Sequence, residues 1–267
     1  MTAATLTTRT WRQSSLFGNP WQRRLLLAAF VVYCVWSIHS LPIDQARLSR
    51  GLERAADMLA RMWPPDFGRW RLLGKGMLES IQMAIASSVA GAILCVPLAL
   101  CAARNLAPAP VYAVARGLIV VGRTFHEVIV AILFVKLFGF GAVAGVLTLA
   151  FSSMIFLAKM IAEDIENIRP GPLEAVRATG AGFGQVVTFA VIPQIVVRSL
   201  GVFIYRVDAN LRHSTVIGIV GAGGIGQSLS ASFSRYDYDF SAAILLSIAA
   251  LVALGEWFSD WVRRRVR

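Results

Sequence analysis

Six apolar runs, at roughly residues 25–41, 77–103, 111–138, 140–162, 195–221 and 240–261, set the strongest limit on how this chain can fold. A helix needs about 20 apolar residues to cross a bilayer, because each residue advances it by only about 1.5 Å. Inside lipid every backbone amide and carbonyl must find its partner within the protein, so runs of this length call for helices. They predict an all-α integral membrane protein with about six transmembrane helices. Only 15% of the 267 residues are charged and the mean hydropathy is +0.64, against roughly 25% charged in an average soluble domain. A single water-soluble core has no place for so much apolar surface.

The runs divide the chain into an N-terminal tail (1–24), a first span with an interfacial segment (25–75), a membrane domain (76–262) and a basic C-terminal tail (263–267). The first run reads as a retained membrane helix rather than a signal peptide. Twenty-four residues precede it, and His39-Ser40-Leu41-Pro42 is no small-residue cleavage site. Within 42–75, Leu48, Leu52, Ala55, Leu59 and Met62 recur at helical spacing, while Arg47, Arg50, Arg54, Asp57 and Arg61 occupy other faces. This predicts an amphipathic helix at the membrane interface, ended by Pro64-Pro65.

An even number of spans places both termini on one side. Arg9, Arg12, Arg23 and Arg24 at one end and Arg263, Arg264, Arg265 and Arg267 at the other mark that side as cytoplasmic. The basic 42–75 segment then falls outside, against the same rule, which leaves its orientation open. This distribution explains much of the net charge of +11 without a nucleic-acid partner. Cys34, Cys95 and Cys101 all lie in apolar runs and make neither a disulfide framework nor a metal site.

The stretch Val216–Leu229, "VIGIVGAGGIGQSL", contains Gly221, Gly223, Gly224 and Gly226 in the order G-x-G-G-x-G, which includes the spelling of a dinucleotide-binding turn. That turn requires a strand before it, a helix after it and an acidic residue about 20 positions on. Here a polar stretch and a second apolar run follow, and Asp239 and Glu256 miss the spacing. An oxidoreductase is therefore disfavoured. At the outer end of a span, glycines either make a turn or broken helix end, acting as a gate, or let helices pack closely.

Ionisable residues within spans are costly and mark functional candidates. The third run holds Arg116, Arg123, His126, Glu127 and Lys136; the fifth holds Arg206, Asp208 and Arg212, with Asn210 and His213 nearby. Arg123 and Glu127, and Asp208 and Arg212, stand four apart on one helical face and can pair. Two readings stay open: pairs that hold the third and fifth spans together, or an arginine left facing a cavity to attract an oxyanion, with Arg206 and Arg212 favoured. His126 and His213 read as polar packing rather than proton carriers, and Lys136 and Lys159 as snorkelling to the interface.

Residues 163–194 form a patterned segment between the fourth and fifth runs, with Arg169-Pro170-Gly171-Pro172 opening "LEAVRATGAGFGQVVTFAVIPQ". Two short helices around a Gly180-Ala181-Gly182 turn make a compact cytoplasmic knob. Glu174-Ala175-Val176, then Gly180, then Ala190-Val191-Ile192-Pro193 resembles the E-A-A---G---------I-x-L-P loop of bacterial ABC importer permeases, departing at Val176 and Ala190. "WPPDFGRW", "ILFVKLFGFGAVAGVLTLA" and "YRVDANLRHSTVIGIVGAGGIG" are similar to the phosphonate-type members, and the resemblance covers about residues 60–230.

That resemblance implies a type I importer permease fold in the bacterial cytoplasmic membrane. It implies a second copy of the chain, two cytoplasmic ATP-binding subunits that hold ATP and Mg, and an external substrate-binding protein. It also implies that Glu174, Ala175, Gly180 and Pro193 belong to the loop that couples to the ATPase, and that Gly221–Gly226 lies near the dimer axis. The cargo implied is phosphonate, phosphate or phosphite. The chain has no P-loop; Gly74-Lys75-Gly76 is its nearest approach, so the expectation is a transporter subunit without an ATPase site or cofactor of its own. A secondary transporter would explain the spans and the charges but not the E-A-V-x-x-x-G loop.

Overall fold

A computed structural model describes residues 20–40 and 45–266. Most of the N-terminal tail, residues 41–44 and Arg267 lie outside the described residues. The described chain is helical, with no strand. It divides into two units, ending at Asp57 and beginning at Met58.

The first unit holds α1 (Pro20–Ser40) and most of α2 (Gln45–Arg61). The apolar part of α1, residues 25–38 with Ser37 near its end, is about 21 Å long at 1.5 Å per residue, short of a bilayer core of about 30 Å. Arg23 and Arg24 cut it off at one end and His39 at the other. α2 carries the alternation of apolar and basic faces expected of the 42–75 segment and stops before Pro64.

The second unit contains α3 (Trp70–Cys101), α4 (Ala109–Thr124), α5 (Glu127–Phe138), α6 (Ala142–Glu166), α7 (Pro170–Ala178), α8 (Phe183–Val186), α9 (Ile192–Ile219), α10 (Gly224–Ser234) and α11 (Tyr238–Val266). Among the described residues, four helical stretches are long and apolar enough to cross a membrane: α3, α6, the run containing α9, and α11. α4 and α5 together make a fifth, bent by 89°. Four or five such spans thus stand where about six runs were expected, with α1 outside the set because its apolar stretch is too short.

The bend replaces the single helix expected at 111–138. Phe125 and His126 adopt extended backbone angles, and His126 Nδ1 caps the new helix by accepting from the Val128 amide at 3.4 Å. α5 therefore begins inside the bundle rather than at its edge, with Glu127 as its first residue.

α3 and α6 pack along their length through small residues. A side chain at Gly91 would meet the Met154 amide nitrogen at 3.0 Å, so the two backbones touch. Leu118, Val120, Ile129, Leu133 and Leu137 remain exposed, as suits surfaces that meet lipid or another membrane helix. At the opposite end from the glycine turn, Leu173, Val186, Ala190 and Val191 bury themselves against Ala103 and Ile165, seating the α7–α8 knob on the ends of α3 and α6. Between α8 and α9 the chain widens into a π turn, Val187–Val191, where the Ile192 amide donates to the Val187 carbonyl. Pro193 explains the widening, since it has no amide to give the Phe189 carbonyl.

Candidate functional site

The charged residues of α9 meet partners from three other helices at mid-membrane depth. Arg206 lies about 20 Å from either end of α9 at 1.5 Å per residue. Its side chain is 5% exposed. Nε donates to Ser153 Oγ at 2.9 Å, and Nη2 donates to Ser152 Oγ at 2.7 Å and Glu127 Oε1 at 3.0 Å. Its guanidinium stands 5.3 Å over the Phe156 ring. Glu127 also accepts from Ser152, and its Oε2 lies 2.5 Å from His213 Nδ1, close enough for an ion pair but without hydrogen-bond alignment.

One turn further on, Asn210 is fully buried. Its Nδ2 donates to Ser88 of α3 and Ser153 of α6, both at 2.8 Å, with Ser87 of α3 standing 3.2 Å from the same nitrogen. Ser153 thus accepts from both Arg206 and Asn210, so three helices share one polar seam. A buried polar group without a partner is costly. Each group here has one, and the seam sets the register of α3, α6 and α9. The Asn210 carbonyl oxygen is the exception, buried without a donor.

Arg206, Glu127 and Ser152 form one wall of an open-sided cavity of about 520 Å³. Arg123, His126, Glu127, Ser152, Phe156, Arg206 and His213 line it. The expected Arg123–Glu127 pair does not form. The bend at Phe125–His126 puts the two residues on different helices, so their spacing of four no longer places them on one face. Glu127 turns to Arg206 and His213, while Arg123 is exposed to the cavity and has no ion pair among the described residues.

Asp208 and Arg212 pair as expected of their spacing, Nη2 to Oδ2 at 2.6 Å, and Arg212 also reaches Glu256 of α11. They face away from the cavity and tie α9 to α11. Of the two favoured arginines, Arg206 lines the cavity and Arg212 does not.

The glycine stretch forms a turn between α9 and α10. Gly221, Gly223 and Gly224 have φ of +94°, +86° and +71°, a conformation that suits glycine alone when repeated so closely. The Gly141 amide donates to the Gly221 carbonyl at 3.0 Å, tying this turn to the α5–α6 connection. Gly226 serves the other use considered: a side chain there would come within 3.1 Å of the Gly218 Cα.

On the knob, Glu174 and Ala175 are exposed on α7, and Gly180 closes that helix at φ +80° with its amide donating to the Arg177 carbonyl at 3.0 Å. Pro193 sits in the first turn of α9 and is exposed. Hydrogen bonds tie the knob to its surroundings. Arg177 donates to the Asn105 carbonyl at 3.2 Å, and the Arg169 amide donates to Gln194 Oε1 at 3.0 Å.

Residues 95–267 match the binding-protein-dependent transport system inner membrane component family, a span that runs from the end of α3 through the cavity, knob and glycine turn to α11. The chain belongs to this family. The chain is 39% identical over 256 residues to the phosphite transport system permease protein PtxC of Stutzerimonas stutzeri, covering 94% of this chain and 92% of that protein. It is 35% identical over 255 residues to the phosphate-import permease protein PhnE of Mycolicibacterium smegmatis, covering 93% of this chain and 48% of that longer protein. Its fold matches a chain of the inward-facing MetNI methionine ABC transporter with a TM-score of 0.66 at 23% identity, over 76% of this chain and 99% of the other.

As a family member this permease is an integral inner-membrane subunit with the type I importer fold, and it works with a substrate-binding protein and an ATPase. The G-x-G-G-x-G stretch joins α9 to α10, and among the described residues no strand precedes it. Sequence reasoning missed the serines that hold the permease's charged residues. The doublets Ser87-Ser88 and Ser152-Ser153, each in the middle of an apolar run, were the available signal.

Proposed function

We propose that this chain is the transmembrane subunit of an ATP-driven importer for a phosphorus oxyanion: phosphonate, phosphate or phosphite. Two copies form the translocation path, the partner ATPase holds ATP and Mg, and this chain has no ATPase site of its own. The observation that carries the proposal is the mid-membrane cavity walled by two arginines. Arg206 is neutralised by Glu127, which leaves Arg123 as the cation available to an entering anion. The names of the two relatives support the choice of phosphorus chemistry, and a planar guanidinium fork suits a phosphoryl group. Asn210 organises the helices behind the cavity, while Asp208 and Arg212 brace α9 against α11.

Reconstituted with its ATPase and binding protein, the permease with Arg123→Ala is expected to lose uptake by about 10- to 100-fold, the worth of one charge-assisted contact. Arg212→Met with Asp208→Asn, which removes that brace without leaving a buried charge behind, should retain most of it. Equal uptake in the two variants would remove the central cavity from the path.

The α7 knob docks in the ATPase, with Glu174, Ala175 and Gly180 at the contact and Pro193 passing the motion into α9. The supporting observation is that the first three stand exposed on an element anchored to the ends of α3 and α6. Gly180→Asp is expected to abolish uptake while the permease stays in the membrane at normal levels. Normal uptake would sink the coupling role. The glycines at 221, 223, 224 and 226 make the outer gate, facing the binding protein. Both termini are cytoplasmic, which requires α1 to cross with Arg23 and Arg24 reaching back to the inner headgroups.

A further inference from the structure

A separate cavity of about 550 Å³ lies between α6, α9 and the end of α11. Its charged lining residues are both cations, Arg198 and Arg263. Arg198 stands about 9 Å along α9 from Ile192, and Arg263 about 5 Å from the end of α11, at 1.5 Å per residue. Both therefore sit near the ends of their helices on the side of the α7 knob.

Neither guanidinium is used up by its protein partners. Arg198 Nε meets Asp164 Oδ1 at 2.8 Å, which leaves both of its Nη groups, and its side chain is 73% exposed. Arg263 Nη2 contacts Ser259 Oγ at 3.1 Å and Asp260 Oδ1 at 3.3 Å. Its Nε–H is buried with no acceptor. A buried cationic donor without an acceptor is costly, and an anion in the cavity supplies one. Asp164 and Asp260 pair with the two arginines but are not part of the lining, so the cavity wall presents the remaining guanidinium N–H donors and no carboxylate.

We propose that this cavity is a second oxyanion site, taking a tetrahedral phosphoryl group between the Arg198 and Arg263 forks. Guanidinium forks from two helices address a group with three free oxygens better than a planar carboxylate with two. The ligand has two sources. One is the free oxyanion on its way out, since Phe156 is a wall of this cavity and of the central one. The other is the phosphate of an inner-leaflet lipid headgroup, reached from the open side. The site does not depend on Arg123 or on what the central cavity carries.

The test uses the whole transporter in nanodiscs of phosphatidylcholine alone or phosphatidylcholine with phosphatidylglycerol. Binding of radiolabelled inorganic phosphate and retention of phosphatidylglycerol by native mass spectrometry are read for wild type, Arg198→Ala with Arg263→Ala, and Arg123→Ala. Phosphate binding that weakens by about tenfold in the double variant, with a component surviving Arg123→Ala, supports the site with the free anion as ligand. Unchanged phosphate binding with loss of retained phosphatidylglycerol supports the site with lipid as ligand. No change in either overturns the proposal.

Arg198→Lys with Arg263→Lys keeps both charges and loses the forks, so it covers a failure of the alanine pair to fold. Its affinity should fall between the two, and wild-type affinity there would overturn the fork geometry. If Arg123→Ala leaves uptake intact, the central path fails and this result stands unaffected.

Discussion

Arg206→Ala is expected to abolish uptake and to destabilise the helix bundle by about 3–5 kcal/mol, the usual consequence of breaking a buried ion pair from one side. The loss comes less from the missing attraction than from what stays behind. Glu127, with a side chain 19% exposed, would keep its charge at mid-membrane depth with only Ser152 and His213 beside it. Ser153 would lose one of its two donors, and the seam that joins α3, α6 and α9 would be left half made. Thermal unfolding in detergent, followed by uptake in proteoliposomes, measures the two effects separately. Arg206→Met combined with Glu127→Gln removes both charges and should recover most of the stability and, with Arg123 still facing the cavity, much of the uptake. An unaltered melting temperature in Arg206→Ala would mean that the pair is not buried as described, and a stable double variant that still lacks uptake would overturn the assignment of Arg123 as the available cation.

Gly223→Ala is the second large effect expected, a destabilisation of about 3 kcal/mol. Two costs add at this position. A φ of +86° with a ψ of −172° is a region confined essentially to glycine and disfavours any side chain by about 1–3 kcal/mol. The added methyl would also lie 2.6 Å from the Ala142 nitrogen and 2.8 Å from its Cα, backbone atoms at the start of α6 that have little room to move. Forcing a methyl into such a space costs about 1–3 kcal/mol more. Gly180→Ala separates the two terms, because φ there is +80° but nothing lies within 4 Å of the added methyl. Its cost should be the conformational part alone. If the two variants unfold at the same temperature, the packing of the glycine turn on α6 is not what holds it.

Much of this architecture was legible in the sequence, because the bilayer makes its demand residue by residue. Runs of about 20 apolar residues announced α3, α6, α9 and α11, with ends that differ by up to seven positions. Residues 163–194 carried proline, glycine and acidic punctuation dense enough to show a folded knob. The i, i+4 rule found Asp208–Arg212, since both residues lie within one unbroken helix. The same rule failed for Arg123 and Glu127, because it holds only while the helix continues. Nothing in the composition of 111–138 marks Phe125–His126 as the place where it stops. Nor could local spacing find the partner that Glu127 takes, which lies 79 residues away on α9.

The sequence by itself determined that this chain is a bundle of membrane helices with a folded knob at one end and a glycine turn at the other. Those properties follow from local hydropathy and backbone freedom, which neighbouring residues settle among themselves. Only the tertiary structure decided which arginine meets the cavity, which one braces α9 against α11, and which charges cancel. Charge pairing depends on distances across helices, and an 89° bend in one of them redirects every pair that touches it.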